Sequence, residues 1–389
     1  MMKKILFVNN NMEVGGVQKS LYNLLWEIKD DYDITLLLFS AHGEYADKLP
    51  ESVKIIEEKS LFRYLGKSQR KYKGTDALKR GFFALVSKIF GRPAAMKIIT
   101  AAAKKLPEEY DCAFAFLHNG GKKSFYGGVQ EYVINCVNAK RKVAYLHCDY
   151  ENCGANFKGN NKLIAKFDGI AACSEGCRNA FCRVLPELSE KCFVVKNCHR
   201  FDEIKALSEK DPLTYDENKV NAVAVARLSH EKGIDRAIES AVIARSKGLP
   251  AMLHIVGGGK EREKLEKLVL GLGAEDYIRF YGEQGNPFRY MKNADFLFMT
   301  SYHEAAPMVI EEAVSIGVPV LSTATTSTDE MVLKTGAGWV CENDQDAVNG
   351  IFIKIASEKD EIYEIKKHLN ELVPDNKIAA EQFRNITEG

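Results

Sequence analysis

The sequence contains no long hydrophobic run. Nothing in its 389 residues approaches the ~20 continuous apolar residues that a bilayer-spanning helix needs. The opening Met1-Met-Lys-Lys-Ile-Leu-Phe-Val-Asn-Asn-Asn11 carries an apolar stretch too short for a signal-peptide core, so a cytoplasmic protein is expected. Net charge is nearly absent too. The 54 Lys and Arg against 53 Asp and Glu leave +1, which argues against general nucleic-acid binding by the whole chain but permits a local basic face. The ten cysteines, most of them between Cys112 and Cys198, form no Cys-x-x-Cys pair. Cys173, Cys177 and Cys182 have a spacing that fits no common zinc site. Several cysteines end apolar runs, as Cys173 does in Gly169-Ile-Ala-Ala-Cys, and read as small buried hydrophobes of a reducing compartment. There is no short-period repeat and no low-complexity segment.

What is present is the composition of a soluble globular protein, 46% hydrophobic and 28% charged. The length suggests two domains of roughly 150–200 residues each. Strand-like runs alternate with helical stretches, the signature of parallel α/β architecture. In the first half strands are expected near Ile5–Val8, Ile34–Phe39, Val53–Ile56, Cys112–Leu117, Val143–Leu146, Ile170–Cys173 and Phe193–Val195. In the second half they are expected near Ala222–Ala226, Met252–Val256, Ile278–Tyr281, Phe296–Met299, Val318–Leu321 and Trp339–Cys341.

Glu304 and Glu312 stand eight positions apart in Ser301-Tyr-His-Glu-Ala-Ala-Pro-Met-Val-Ile-Glu-Glu-Ala313, where an apolar strand gives way to a helix over Met308–Ser315 closed by Gly317. Open α/β sheets bind ligands at the carboxyl ends of their strands, which is where Glu304 falls. Glu312 lies about two turns further on, so the pair can take hydroxyls of a ligand lying across the helix start. Alternatively, Glu304 answers the helix dipole and Glu312 is a solvated helix residue. Upstream, Asn221-Ala-Val-Ala-Val-Ala-Arg-Leu-Ser-His-Glu-Lys-Gly-Ile-Asp-Arg236 runs from strand through a loop with Arg227 and Lys232 into a helix. Two cations beside a helix N-terminus suit a diphosphate. Met252-Leu-His-Ile-Val-Gly-Gly-Gly259 ends a strand in glycines that permit close backbone approach to a ligand.

This ordered series, cationic loop, glycine turn, Gly282 loop and glutamate pair, resembles the C-terminal half of the family-4 retaining glycosyltransferases of group 1 type, chiefly over residues 220–340. The resemblance implies a GT-B fold, two Rossmann-like parallel-sheet domains facing across a cleft. An acceptor-binding domain is then expected over 1–196 and a nucleotide-sugar-binding domain over 197–376, with a last helix, about 377–389, that packs back on the first domain. It also implies that Arg227 and Lys232 neutralise the leaving diphosphate, that Glu304 binds the donor sugar and Glu312 the ribose, and that Gly257 and Gly258 lie at the donor. Backbone groups from Ala305 and Ala306 through Pro307, Met308 and Val309 would meet sugar or phosphate. Ala305 departs from a glycine common in the family, which narrows the expected sugar pocket. The implied reaction moves a sugar from a nucleotide diphosphate donor, UDP-sugar first among them, to a sugar hydroxyl on a lipid-linked oligosaccharide for a surface glycan. No cofactor is expected and no metal, since no Asp-x-Asp pair suited to metal-assisted nucleotide-sugar binding appears. Two alternatives are a non-hydrolysing sugar-nucleotide epimerase and a non-catalytic GT-B subunit partnering another glycosyltransferase.

In the first half, Gly15-Gly16 before a helix resembles the family's N-terminal glycine loop, though it also suits an ordinary βα turn, and Gln18 stands where many relatives have glutamate. His147, after a buried strand in Lys142-Val-Ala-Tyr-Leu-His-Cys-Asp-Tyr150, matches a histidine that contacts the donor sugar in relatives. Its near-neutral pKa is expected to suit a shared proton. Asp149 and His118 are further candidates of the same kind. Finally, Leu61 to Lys105 holds twelve Lys or Arg and one acid, Asp76. Gly81–Phe90 within it reads as an amphipathic helix that can rest on an anionic membrane, or else as a solvated basic face over a buried apolar stripe. No nucleic-acid motif accompanies the charge.

Overall fold

The computed structural model describes residues 2–389 and divides into two compact units, 1–198 with 376–389, and 199–375. Each is built on one parallel sheet. In the first, β1 (Lys3–Asn9), β2 (Tyr32–Leu38), β3 (Lys54–Glu57), β4 (Glu109–Ala115), β5 (Asn138–Leu146), β6 (Gly169–Ala172) and β7 (Cys192–Val194) lie in the order β3-β2-β1-β4-β5-β6-β7. In the second, β8 (Val220–Val225), β9 (Ala251–Val256), β10 (Ile278–Gly282), β11 (Phe296–Met299), β12 (Val320–Thr323) and β13 (Gly338–Cys341) lie in the order β10-β9-β8-β11-β12-β13. Helices cover both faces, which is why the central strands read as unbroken apolar runs: the β11 sequence Phe-Leu-Phe-Met is buried throughout.

In both sheets the strand order reverses once. The reversal falls between β1 and β4 in the first sheet, and between β8 and β11 in the second. Loops leaving the carboxyl ends of those strands diverge to opposite faces and open a crevice there, the place where doubly wound sheets take their ligands. The last helix, Lys377–Glu388, belongs to the first unit. Its Phe383 is fully buried, 5.1 Å from the Phe114 ring and 6.0 Å from Phe7. Burying that ring contributes about 1.5–3 kcal/mol. Arg141 Nε donates to Ile386 O at 2.8 Å and secures the end of the helix.

Candidate functional site

In the second unit, β8 delivers Arg227 and Lys232 to the reversal point, and β11, its neighbour, delivers Glu304. Lys232 Nζ lies 2.5 Å from Glu304 Oε1, with the two side chains only 23% and 11% exposed. Ser301 Oγ donates to the same carboxylate oxygen at 2.7 Å. A cation and an anion 72 positions apart in sequence are thus held as one half-buried pair. Arg227 is different: its side chain is 72% exposed, and Glu231 Oε1 accepts from its Nη2 at 3.1 Å. It is a surface arm that can swing to an arriving anion at little cost.

The close approach of the two loops depends on Gly233. Its φ is 58°, and an added Cβ would stand 2.2 Å from Thr300 O. Thr300 Oγ1 donates to Gly233 O at 2.7 Å across the same gap. The glycine turn after β9 works likewise. At Gly257, φ 144°, a Cβ would fall 1.9 Å from Ala226 O, and at Gly259, φ 158°, one would fall 2.2 Å from Leu228 O. Leu228 N donates to Gly258 O at 2.8 Å. Gly257 and Gly259 therefore let the turn clasp the backbone on either side of Arg227, whereas a Cβ on Gly258 would only touch the Glu283 side chain at 3.4 Å and packing does not demand that glycine.

The helix Met308–Ser315 begins after Pro307 with no side-chain cap; Ile310 N donates to Pro307 O at 3.1 Å, which leaves the Met308 and Val309 N–H groups as the first-turn donors that could meet an anion. Pro307 itself has no N–H, so the expected row of donors from Ala305 to Met308 is interrupted there. Ser327 Oγ donates to Ala305 O and braces this loop from the segment after β12. Glu312 is 4% exposed and not a solvated helix residue. A carboxylate is rarely buried without a structural or binding reason.

Asn343, beyond β13, had no signal in the sequence except its place after a strand. Its Nδ2 donates to Tyr302 O at 3.1 Å and to Ala324 O at 3.0 Å, and its Oδ1 accepts from Arg236 Nη1 at 2.7 Å. One amide thereby fixes the loops after β11 and β12. Ser301, at the head of the glutamate segment, was likewise overlooked because an uncharged hydroxyl beside two carboxylates does not stand out.

In the first unit, the loop after β1 and the residues following β4 and β5 meet at the reversal of the other sheet. Asn10 Nδ2 donates to Leu65 O at 3.0 Å and Asn11 Nδ2 to Gly66 O at 2.7 Å, which explains the asparagine run. A Cβ on Gly16 would meet nothing, and one on Gly15 would meet only the flexible Gln18 amide, so packing does not demand either glycine. His147 stacks on Tyr145, 5.4 Å between centroids, and lies tilted against Phe116 at 4.7 Å. His147 Nε2 and His118 Nδ1 are buried with no hydrogen-bond partner among the described residues. Burial, with His118 nearby, pushes the His147 pKa down to about 3, and burial lowers that of His118 to about 4. The near-neutral pKa expected for His147 is therefore not found: burial favours the uncharged form of both rings at pH 7. Asp149 instead caps its own turn, accepting from Glu151 N at 3.0 Å. Two cavities in this unit, 430 and 640 Å³, are lined by other residues, including Arg92, Lys97 and Lys162 in one and Arg178, Glu190 and Asn385 in the other.

The histidines make a prediction about pH. Both folded pKa values lie below the ordinary 6.5, so between pH 6.5 and about 4 the unfolded chain binds protons that the folded chain refuses, and stability falls as pH falls. Urea unfolding at pH 7 and pH 5 should show a smaller loss for His118→Gln/His147→Gln than for the parent protein. An equal loss in both would contradict the assignment.

Residues 207–371 match the family model described as glycosyl transferases group 1. The chain is 29% identical over 140 residues to an uncharacterized glycosyltransferase, MJ1059, of Methanocaldococcus jannaschii, covering 35% of this chain and 34% of that protein. It is 38% identical over 94 residues to the lipopolysaccharide glucosyltransferase WaaG of Escherichia coli, covering 24% of this chain and 25% of that protein. The matched stretches thus span about a third or less of those relatives' lengths. The crystal structure of Anabaena Alr3699/HepE in complex with UDP-glucose superposes with a TM-score of 0.69 at 17% identity, over 99% of this chain and 98% of that one. The chain therefore has the GT-B fold, and its residues 207–371 carry the pattern of the group 1 glycosyl transferases.

Proposed function

We propose that the protein is a retaining glycosyltransferase that moves a sugar from a UDP-sugar to a hydroxyl of a lipid-linked saccharide destined for a surface polysaccharide, working in the cytoplasm at the inner face of the membrane. The observation that carries the reading is the Lys232–Glu304 pair at the strand-order reversal of the second unit, inside the segment that matches the family. Lys232 and Arg227 bind the diphosphate and stabilise the negative charge that grows on it as the sugar departs, so no metal is required. Glu304, already oriented by Ser301, takes hydroxyls of the transferred sugar. Glu312 takes the ribose, and the uncapped start of the Met308–Ser315 helix faces phosphate. The second unit thus holds the nucleotide and the first unit serves the acceptor. His147, which follows β5 in that unit, is the proposed contact to the donor sugar. WaaG, a lipopolysaccharide glucosyltransferase, and HepE, solved with UDP-glucose, support the substrate classes.

Isothermal titration with UDP, GDP and their sugars tests this reading. Binding of UDP and at least one UDP-sugar is expected, and binding of none of them would favour a non-catalytic subunit.

A further inference from the structure

Of the large apolar side chains in the basic stretch Gly81–Phe90, Phe83 faces inward while Phe82, Leu85, Ile89 and Phe90 are exposed. The helix runs over Gly74–Phe90, starting seven residues before the expected Gly81. Only Phe83 and Ser87 of its residues are buried. Phe83 stacks on Phe125 at 6.3 Å, and Ser87 Oγ donates to Ser124 O at 3.2 Å. Leu78, Phe82, Leu85 and Ile89 are 75%, 56%, 55% and 59% exposed. At about 100° per residue these four fall within an arc of about 60°, on the side away from Phe83 and Ser87. Lys79 and Lys88 lie about 90° to either side of that stripe. A water-soluble surface rarely carries such a continuous apolar stripe without a partner.

The charges select the partner. The one acid of the segment, Asp76, is taken up by Arg63 Nη2 and Tyr64 Oη, each at 2.8 Å. Lys79 and Lys88 make no ion pair among the described residues, and Lys73, Lys97, Lys104 and Lys105 are exposed nearby in sequence. Two cations expected to contribute do not. Arg80 turns inward, donating to Lys67 O at 3.2 Å and Gln69 Oε1 at 2.7 Å, and Arg92 is buried in a pair with Glu131. A second copy of the chain would bring cations against cations. We infer that the Gly74–Phe90 helix lies in the interface of an anionic lipid surface, its Leu78–Phe82–Leu85–Ile89 stripe among the acyl chains and Lys79 and Lys88 at headgroup phosphates. The inference rests on the proposed lipid-linked acceptor for its purpose, since it would hold the enzyme where that acceptor lies.

Sedimentation of the full chain with phosphatidylcholine vesicles, with and without phosphatidylglycerol, tests it. Binding should rise with phosphatidylglycerol and fall with salt, because screening shortens the reach of charge to about 8 Å at physiological ionic strength. Phe82→Ser/Leu85→Ser and, separately, Lys79→Glu/Lys88→Glu should each lower the vesicle-bound fraction about tenfold while UDP affinity stays unchanged. Two results would overturn the inference: equal vesicle binding by the parent and both variants, or a dimer on gel filtration that Phe82→Ser/Leu85→Ser converts to a monomer. UDP binding without vesicle binding sinks this inference alone. Vesicle binding without UDP binding sinks the proposed function alone.

Discussion

Lys232→Ala is expected to lower turnover by a factor on the order of 100 or more, because removing one partner of a developing charge costs roughly 2.7–4 kcal/mol in the transition state. The physical basis is where the ammonium is held. Its Nζ is 2.5 Å from Glu304 Oε1 and its side chain is only 23% exposed, so its charge is less screened by water than a surface lysine's. Arg227→Ala is expected to lose a similar factor, by a different route. That side chain is largely exposed and paired with Glu231 at 3.1 Å, so its charge is more screened by water than that of Lys232. Glu231→Gln should then leave turnover nearly unaltered, whereas Arg227→Ala should not. Thermal melting of each variant separates lost chemistry from lost folding. Near-normal turnover by well-folded Lys232→Ala would remove the cationic clamp from the reaction.

Glu304→Gln and Glu312→Gln should fail in different ways. Glu304 is tied to Lys232 and Ser301 at the loop, and the proposed role at the sugar predicts that turnover falls heavily while affinity for free UDP stays nearly unchanged. Glu312 is buried in the Met308–Ser315 helix. The proposed charge-assisted bond from Glu312 to ribose would contribute roughly 1.5–3 kcal/mol, so its loss should weaken UDP binding by about one to two orders of magnitude. Titrating both variants first with UDP and then with the intact donor is the measurement. If Glu304→Gln loses UDP and Glu312→Gln keeps it, the roles are exchanged; if neither moves binding or rate, the pair is structural.

The sequence made the strand-to-helix joint over 296–315 legible to the residue. Phe296–Met299 and Met308–Ser315 are bounded by strong local signals, an apolar run before a polar loop and a helix-forming run closed by Gly317. All thirteen strands were visible for the same reason, with ends displaced by a few residues where polar side chains continue the ladder, as Asn138–Lys142 do in β5. Burial was harder to read. Nothing local distinguishes a helix whose apolar stripe faces the core from one whose stripe faces out, so the orientation of Leu78, Phe82, Leu85 and Ile89 emerged only from packing. Whether Glu312 was a ligand-binding carboxylate or a solvated helix residue was open for the same reason, and its burial excludes the second. The His147 pKa depends on what surrounds the ring, Phe116 and Tyr145 chiefly, and these are neighbours through the β4–β5 pairing. Pairings between distant segments, such as Lys232 with Glu304 and Asn343 with Tyr302, have no one-dimensional trace at all.

The most direct measurement is turnover against a panel of nucleotide sugars, with released nucleotide and sugar identified together by mass spectrometry and the anomeric configuration of the product read by NMR. Release of UDP, with the sugar's anomeric configuration retained and the activity abolished in Lys232→Ala, is the expected result. Release of an altered but still nucleotide-linked sugar, or of no product from any donor, would contradict sugar transfer as the function of this chain.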